Sequence, residues 1–295
     1  MKVLITGANG QLGRMLAKAS AGTVNEYIFT DLESDEARGI LSLDMTDSAA
    51  VEAFVGERQI DVIVNCASYT AVDMAEDEAT QADLINNAAV ASLADCAKKH
   101  NAVLIHISSD YVFDGTSNIP YTEDSPLSPL SVYGKTKADS EKAVMASGCR
   151  YIIFRTSWLY STEGKNFVRR ILEKSAEMPE LKVIFDQVGS PTYAPDLASL
   201  ICHVIEENLL DRTGLYNYSN EGVCSWYDFA YEICLQAGHL CDIRPCHTAD
   251  YPRKASRPHF SVLDKTKVKD TFSIEIPHWK DSLMVFMNEM NNTDN

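Results

Sequence analysis

Short apolar runs alternate with helix-length patterns through the first half of the chain, and that alternation restricts the fold more than any other feature. Val3-Leu4-Ile5 reads as a strand ended by Gly7, and Gln11 to Ser20 as a helix. Tyr27-Ile28-Phe29 is a second strand, ending at Asp31. Asp47 or Ser48 can cap a helix running to about Glu57. Val62-Ile63-Val64 is a third strand, and an Ala-rich helical segment follows from about Glu78 to Lys99. Val103 to Ile107 is a fourth strand, Ser131 can cap a helix to about Ser147, and Tyr151 to Phe154 is a fifth strand. Strands apolar on both faces, separated by helices, require a parallel sheet covered on both sides. The expected fold class is α/β, a doubly wound parallel sheet.

The turn after the first strand reads Thr6-Gly7-Ala8-Asn9-Gly10-Gln11-Leu12-Gly13. Glycines let backbone approach a ligand closely, and the following helix start offers free N–H groups and a positive dipole end to a pyrophosphate. The spacing is GxxGxxG rather than GxGxxG, so the strand–turn–helix context carries the signal. Gly7, Gly10, Gln11, Leu12 and Gly13 are therefore cofactor-binding candidates in a Rossmann-type fold. Asp31 closes the second strand, where a carboxylate can accept from both hydroxyls of an adenosine ribose and repel a 2′-phosphate. Asp44 and Met45, after another short apolar run, are positioned for the adenine edge.

Tyr133-Gly-Lys-Thr-Lys137 lies near a helix start, and residues four apart share a helix face. A free phenol has a pKa of about 10, which a neighbouring ammonium lowers. Tyr133 could then donate a proton to a carbonyl oxygen as hydride reaches the carbon. Ser108-Ser109-Asp110-Tyr111 follows the fourth strand, where ligands of open parallel sheets bind. A hydroxyl there can stabilise a developing oxyanion.

These residues together resemble the extended short-chain dehydrogenase/reductase family, and more closely its dTDP-4-dehydrorhamnose reductases. The strings that carry the resemblance are Val64-Asn-Cys-Ala-Ser-Tyr-Thr-Ala-Val-Asp73, Ser108-Ser-Asp-Tyr-Val-Phe-Asp-Gly115, Val132-Tyr-Gly-Lys-Thr-Lys137, Arg155-Thr-Ser-Trp-Leu-Tyr160, Gly164-Lys-Asn-Phe167, Asp186-Gln-Val-Gly-Ser-Pro-Thr192 and Ser256-Arg-Pro258. The resemblance implies reduction of the 4-keto group of dTDP-4-dehydro-L-rhamnose by NADPH or NADH. It makes Tyr133 the proton donor, Lys137 the ligand of the nicotinamide ribose, and Ser109 the hydroxyl on the keto oxygen. Ser68, Tyr69 and Thr70 would line the cofactor. Asp110 and Trp158 match substrate-contacting positions, and Arg257 is placed to clamp the substrate pyrophosphate. Asn166 is a weaker candidate of the same sort. The family's usual Ser-Thr-Asp is Ser-Ser-Asp here, which keeps a hydroxyl. Met15 stands where some relatives carry an acid associated with an interface magnesium. A thioether is no hard oxygen ligand, so no metal is expected.

The implied organisation is a dinucleotide-binding domain over residues 1–155, joined by about 183–208. The implied substrate-binding lobe is smaller and comprises 156–182 and 209–295. A formal net charge of −16 repels phosphate backbones, so nucleic acid is not an expected partner. The expected partner is a nucleotide-sugar substrate, to a protein that is a monomer or a weak homodimer. No stretch approaches the ~20 apolar residues of a membrane span, and nothing at the N-terminus reads as a signal peptide. Eight cysteines without a CxxC read as reduced thiols of a cytoplasmic protein. His239, Cys241, Cys246 and His247 read as ordinary residues rather than a zinc site, and disorder is expected only from Asn288 to Asn295. Two other classes stay open. One is a nucleotide-sugar epimerase or dehydratase, although a dehydratase commonly shows Asp-Glu where this chain has Ser109-Asp110. The other is a non-catalytic regulatory subunit of the methionine adenosyltransferase type.

Overall fold

Seven strands form one parallel sheet in the computed structural model, which describes residues 1–293. They are β1 (Lys2–Thr6), β2 (Glu26–Asp31), β3 (Ile40–Ser42), β4 (Val62–Asn65), β5 (Val103–Ser109), β6 (Arg150–Thr156) and β7 (Gly214–Asn217). Their spatial order is β7-β6-β5-β4-β1-β2-β3. The order reverses direction between β1 and β4, and an open sheet has its ligand crevice outside the strand ends at that point. Val3, Leu4, Ile5, Val62, Ile63, Val64, Leu104 and Ile105 are all essentially inaccessible, which is why these strands read as unbroken apolar runs.

Helices cover both faces. They include α1 (Gln11–Ala19), α2 (Ser48–Arg58), α3 (Ala89–Lys99), α4 (Val132–Ser147), α5 (Phe167–Glu177), α6 (Ala194–Glu206), α7 (Trp226–Ala237) and α8 (Trp279–Thr293). α1 and α6 pack together over one face with Leu12, Leu16, Leu197 and Ile201. α2, α3 and α4 cover the other with Val51, Leu93 and Val144. Asp47 caps α2 and Ser131 caps α4, as their side chains suit them to do. The expected Ala-rich helix is interrupted: Ala79–Asp83 passes through a π-helical turn, Leu84–Ala88, before α3.

The smaller lobe has its own core, built on Tyr160, Ile171, Leu181, Phe229, Ile243 and Phe286. Three sequence expectations need correction. Val183-Ile184-Phe185 does not return to the main sheet; Glu180–Ile184 pairs instead with Asp242–Cys246 in a separate two-stranded sheet. Residues 209–295 do not all belong to the lobe, because β7 extends the main sheet beside β6 and Val268, Phe272 and Ile276 pack into its core. The polar tail is helical from Asn288 to Thr293, since α8 stays anchored upstream by Leu283, Phe286 and Met287. The last two residues of that expectation lie outside those described.

Among the described residues no helix is long and apolar enough to cross a membrane. Nor does any group of three or more His, Cys, Asp or Glu side chains converge as a metal site would. His239 bonds Ser175 and His247 faces Asp186. Met15 is buried in the main core and presents nothing to a surface.

Candidate active site

The glycine-rich turn between β1 and α1 needs its glycines for close contact. Gly7 has φ +67°, and a Cβ there would stand 2.5 Å from the backbone nitrogen of Ala67. Only glycine combines that conformation with that approach. Gly10 caps α1 without any side-chain bond, so the first amides of the helix, at Gln11, Leu12 and Gly13, face outward uncapped. Gln11 also serves the lobe: its Oε1 accepts from Asn166 Nδ2 at 3.0 Å and Ser161 Oγ at 3.1 Å. Asn166 is thus the cap of α5 and a clasp on α1.

Asp31 sits beside this turn. Its Oδ2 accepts from the Asn9 amide at 2.8 Å and its Oδ1 from the Leu32 amide at 2.8 Å. A cleft lined by Asn9, Asp31, Leu32, Glu33, Ser34, Asp35 and Glu36 opens there. Arg38 reaches into the same region, donating to Asn9 Oδ1 at 2.9 Å. Asp44 is exposed and accepts from its own neighbour Thr46, while Met45 is buried in the core under the sheet.

Ser68, Tyr69 and Thr70 follow β4 and are organised by a residue that sequence reasoning did not single out. Asn86, in the π-helical turn, accepts from Ser68 Oγ and the Tyr69 amide, both at 2.8 Å. Its Nδ2 donates to Tyr69 O at 3.1 Å and to Thr136 Oγ1 at 3.2 Å. The loop after β4 is thereby fastened to the turn of α4 that precedes Lys137. A π-turn at such a place is a recurrent functional device.

Tyr133 and Lys137 both face β5. Lys137 Nζ donates to the Ile107 carbonyl at 2.6 Å, and Tyr133 meets the hydroxyl of Ser109 at the strand's end. Gly134, between them, is required by packing, because a Cβ would fall 2.2 Å from the Tyr111 carbonyl oxygen. The Tyr111 ring lies edge-on to Tyr133 with centroids 5.7 Å apart.

The electrostatics differ from the expectation in one respect. Burial pushes the Tyr133 phenol up to about 12, opposed by the Ser109 hydrogen bond and reinforced by Asp110. The ammonium of Lys137 is engaged with Ile107 rather than the phenol, so in the protein alone burial outweighs any acidification by Lys137. Burial pulls Lys137 itself down to about 8, with Glu141 opposing. Asp110 is lifted to about 7 by burial, against the opposing effect of the nearby Ser261 and Ser109 hydroxyls. Its Oδ1 accepts from Ser109 at 3.1 Å, while Oδ2 is buried with no protein partner among the described residues. A carboxyl in that state can bind a ligand hydroxyl as donor or acceptor.

Beneath this group lies a second feature absent from the sequence reading. Glu141 accepts from Ser108 Oγ at 2.5 Å and from Arg155 through Nε at 2.9 Å and Nη2 at 2.7 Å, wholly inside the protein.

The lobe contributes Trp158 and the strap around Arg257. Trp158 adopts φ +49°, a strained conformation for a bulky residue, and stacks on Trp226 with centroids 3.5 Å apart. Its ring is therefore half packed against an aromatic neighbour rather than free on both faces. Arg257 is paired with Asp73 and also approaches Tyr111, which brings the strap to the edge of the Tyr133 site.

Known proteins align with this arrangement from end to end. A model of the family described as RmlD substrate binding domain matches residues 1–292. A dTDP-4-dehydrorhamnose reductase of Aggregatibacter actinomycetemcomitans is 38% identical over 291 residues, covering 96% of this chain and 97% of that protein. The crystal structure of a dTDP-4-dehydrorhamnose reductase from Clostridium acetobutylicum superposes with TM-score 0.92 at 40% identity, covering 99% of this chain and 100% of that one. That from Bacillus anthracis, in complex with NADP, superposes with TM-score 0.85 at 33% identity, over 98% of this chain and 99% of that one. On this sequence and fold similarity over nearly the whole length, the chain belongs to the RmlD substrate binding domain family, within the extended short-chain dehydrogenase/reductases.

Proposed function

We propose that this chain reduces the 4-keto group of dTDP-4-dehydro-L-rhamnose to dTDP-L-rhamnose with NADPH or NADH. The observation that carries the reading is the convergence of Ser109, Asp110 and Tyr133 at the end of β5, next to the segment that abuts the phosphate-binding turn. The chain fits a dinucleotide. Gly7 leaves the space a Cβ would fill, α1 begins uncapped, and Asp31 stands one strand away. Gly7, Gly10, Gln11, Leu12 and Gly13 would hold the pyrophosphate, Asp31 the adenosine ribose, and Ser68 to Thr70 with Lys137 the nicotinamide half. The bound cofactor supplies the hydride.

Everything else falls to the protein's own groups. Ser109 donates to the keto oxygen and orients the carbonyl. Tyr133 delivers the proton that becomes the new hydroxyl's hydrogen. A phenol held near 12 by burial retains its proton until charge develops on the substrate oxygen. Lys137 keeps positive charge close by and stabilises the phenolate left once the proton has gone. Asp110 and Trp158 face the sugar, and Arg257 the diphosphate.

The named relatives are the support for the substrate, and Ser109-Asp110 in place of Asp-Glu favours reduction over dehydration. The test is oxidation of NADPH or NADH in the presence of enzymatically prepared dTDP-4-dehydrorhamnose, with product identification by NMR. Stoichiometric release of oxidised cofactor with dTDP-L-rhamnose is expected. A C4 or C5 epimer formed without net cofactor oxidation would replace this reading with an epimerase.

A further inference from the structure

A row of polar side chains crosses the sheet beneath the site. Thr6, Asn65 and His106 stand opposite one another on β1, β4 and β5, three adjacent strands. All three are buried, His106 completely. Thr6 Oγ1 donates to Asn65 Oδ1 at 2.7 Å, and the Ala67 amide donates to the same oxygen at 3.2 Å. Asn65 Nδ2 meets His106 Nδ1 at 3.2 Å, and His106 Nε2 meets Ser140 Oγ at 3.2 Å. Ser140 Oγ donates to the Lys137 carbonyl at 2.7 Å.

The two backbone groups at the ends fix every proton between them. An amide N–H only donates, so the Asn65 atom facing Ala67 is its oxygen, and its NH2 faces His106. Nδ1 of His106 therefore accepts and carries no proton. A carbonyl only accepts, so Ser140 gives its single proton to Lys137, and its oxygen receives the Nε2–H of His106. A second ring proton on Nδ1 would point at the Asn65 NH2 in a dry interior, leaving two donors face to face. Burial and the neighbouring Lys137 also hold the imidazole well below its ordinary pKa.

We propose that His106, held as the neutral Nε2–H tautomer, is a positioning residue that ties the strand end bearing the phosphate-binding turn to the helix turn bearing Lys137. Thr6 directly precedes Gly7, and Lys137 grips the other end of the same dinucleotide. The row sets the spacing between these two grips. Its functional half rests on the reading of Gly7–Gly13 and Lys137 as cofactor ligands; its chemical half does not. Glutamine can reproduce both bonds, donating through Nε2 and accepting through Oε1, whereas leucine reproduces neither.

Two measurements test this. Nitrogen-15 NMR of the histidine-labelled protein should show His106 with a protonated Nε2 and a bare Nδ1, unchanged from about pH 5.5 to about 8.5. A protonated Nδ1, or titration within that range, overturns the proposal. Second, His106→Leu should weaken NADPH or NADH binding by at least about tenfold. The KM of the sugar nucleotide should stay within about twofold, because the row touches no residue of the smaller lobe. His106→Gln should restore most of the cofactor affinity. A His106→Leu protein with undiminished affinity, equal losses for both ligands, or no recovery with His106→Gln would each overturn it. If the wild-type protein binds cofactor but does not reduce dTDP-4-dehydrorhamnose, the proposed function fails while the NMR and cofactor-affinity readouts still decide the role of His106.

Discussion

Arg257 grips Asp73 with both ends of its guanidinium, Nη1 to Oδ1 at 3.1 Å and Nη2 to Oδ2 at 2.9 Å. The pair joins the strap of the smaller lobe to the segment after β4. The Arg257 hydrogen bond holds the Asp73 carboxyl below its ordinary range, so the pair's contribution is intact at neutral pH and is lost only as pH falls through the lowered value. The arginine expected to clamp substrate is thus already occupied by a protein carboxylate. Arg257→Ala is expected to raise the KM of the sugar nucleotide about tenfold or more and leave cofactor affinity nearly unchanged. Steady-state kinetics with each ligand varied checks this. A loss confined to thermal stability would leave Arg257 a strap residue only.

Tyr133→Phe removes the only proton that the site can deliver through this ring. Turnover should fall about 100-fold or more, while NADPH or NADH binding stays close to normal. Fluorescence titration with cofactor and single-turnover kinetics separate the two. Near-normal turnover in the variant would end the acid role of Tyr133.

The Asp31 carboxylate already accepts one backbone amide on each oxygen, from Asn9 and from Leu32. Each oxygen keeps a lone pair for a ribose hydroxyl. Asp31→Ala should weaken NADH more than NADPH, since the carboxylate both accepts from a ribose hydroxyl and repels a phosphate placed there. Binding titrations with the two cofactors check this. Equal losses would show that Asp31 only shapes the turn.

Burial sets the pH response. Lys137 is pulled down to about 8 and so loses its charge at lower pH than a free lysine. Reduction should therefore decline as pH rises through about 8. Asp110, lifted to about 7, is the other group near neutrality. Asp110→Asn should remove any change near 7 and leave the decline near 8, whereas Lys137→Met should abolish that decline along with most activity. Rate profiles of the three proteins between about pH 5.5 and about 9.5 decide the assignment.

Glu141 and Arg155 form an ion pair sealed in the core. Glu141→Gln leaves a buried guanidinium without its counter-charge, which should lower stability by about 3–5 kcal/mol. Urea unfolding measures this, and replacing both residues by leucine and methionine should recover much of the loss.

The sheet was legible because a strand buried on both faces must be apolar throughout, as Val62 to Val64 is, and because caps such as Ser131 mark their helices chemically. That Ser109, Tyr133 and Lys137 come together was legible from their places relative to β5 and α4. Asn86 was not, because an asparagine in an Ala-rich helix gives no local sign that it faces inward. His106 and Glu141 carried a faint sign: a polar group interrupts an otherwise apolar strand, or follows Lys137 by one helical turn. The partners that explain them lie on other elements. β7 escaped notice because Gly214–Asn217 holds only Leu215 and Tyr216 between a glycine and an asparagine, too short an apolar run to read as a buried strand. Glu180–Ile184 looked like a sheet strand for the converse reason, since nothing local tells which neighbour a strand will choose.

The late return of β7 to the side of β6 makes the two lobes hard to part. A fragment ending at residue 155 would lack β7, α6 and the Thr266–Phe272 helix, leaving β6 as a bare edge and Phe154 without Tyr216 and Phe272 against its ring. An unpaired apolar edge invites intermolecular strand addition. Cleaving the protein there would yield a sticky six-stranded sheet, so the main sheet of this enzyme is completed only when the C-terminal part of the polypeptide has been synthesised and folded back onto it.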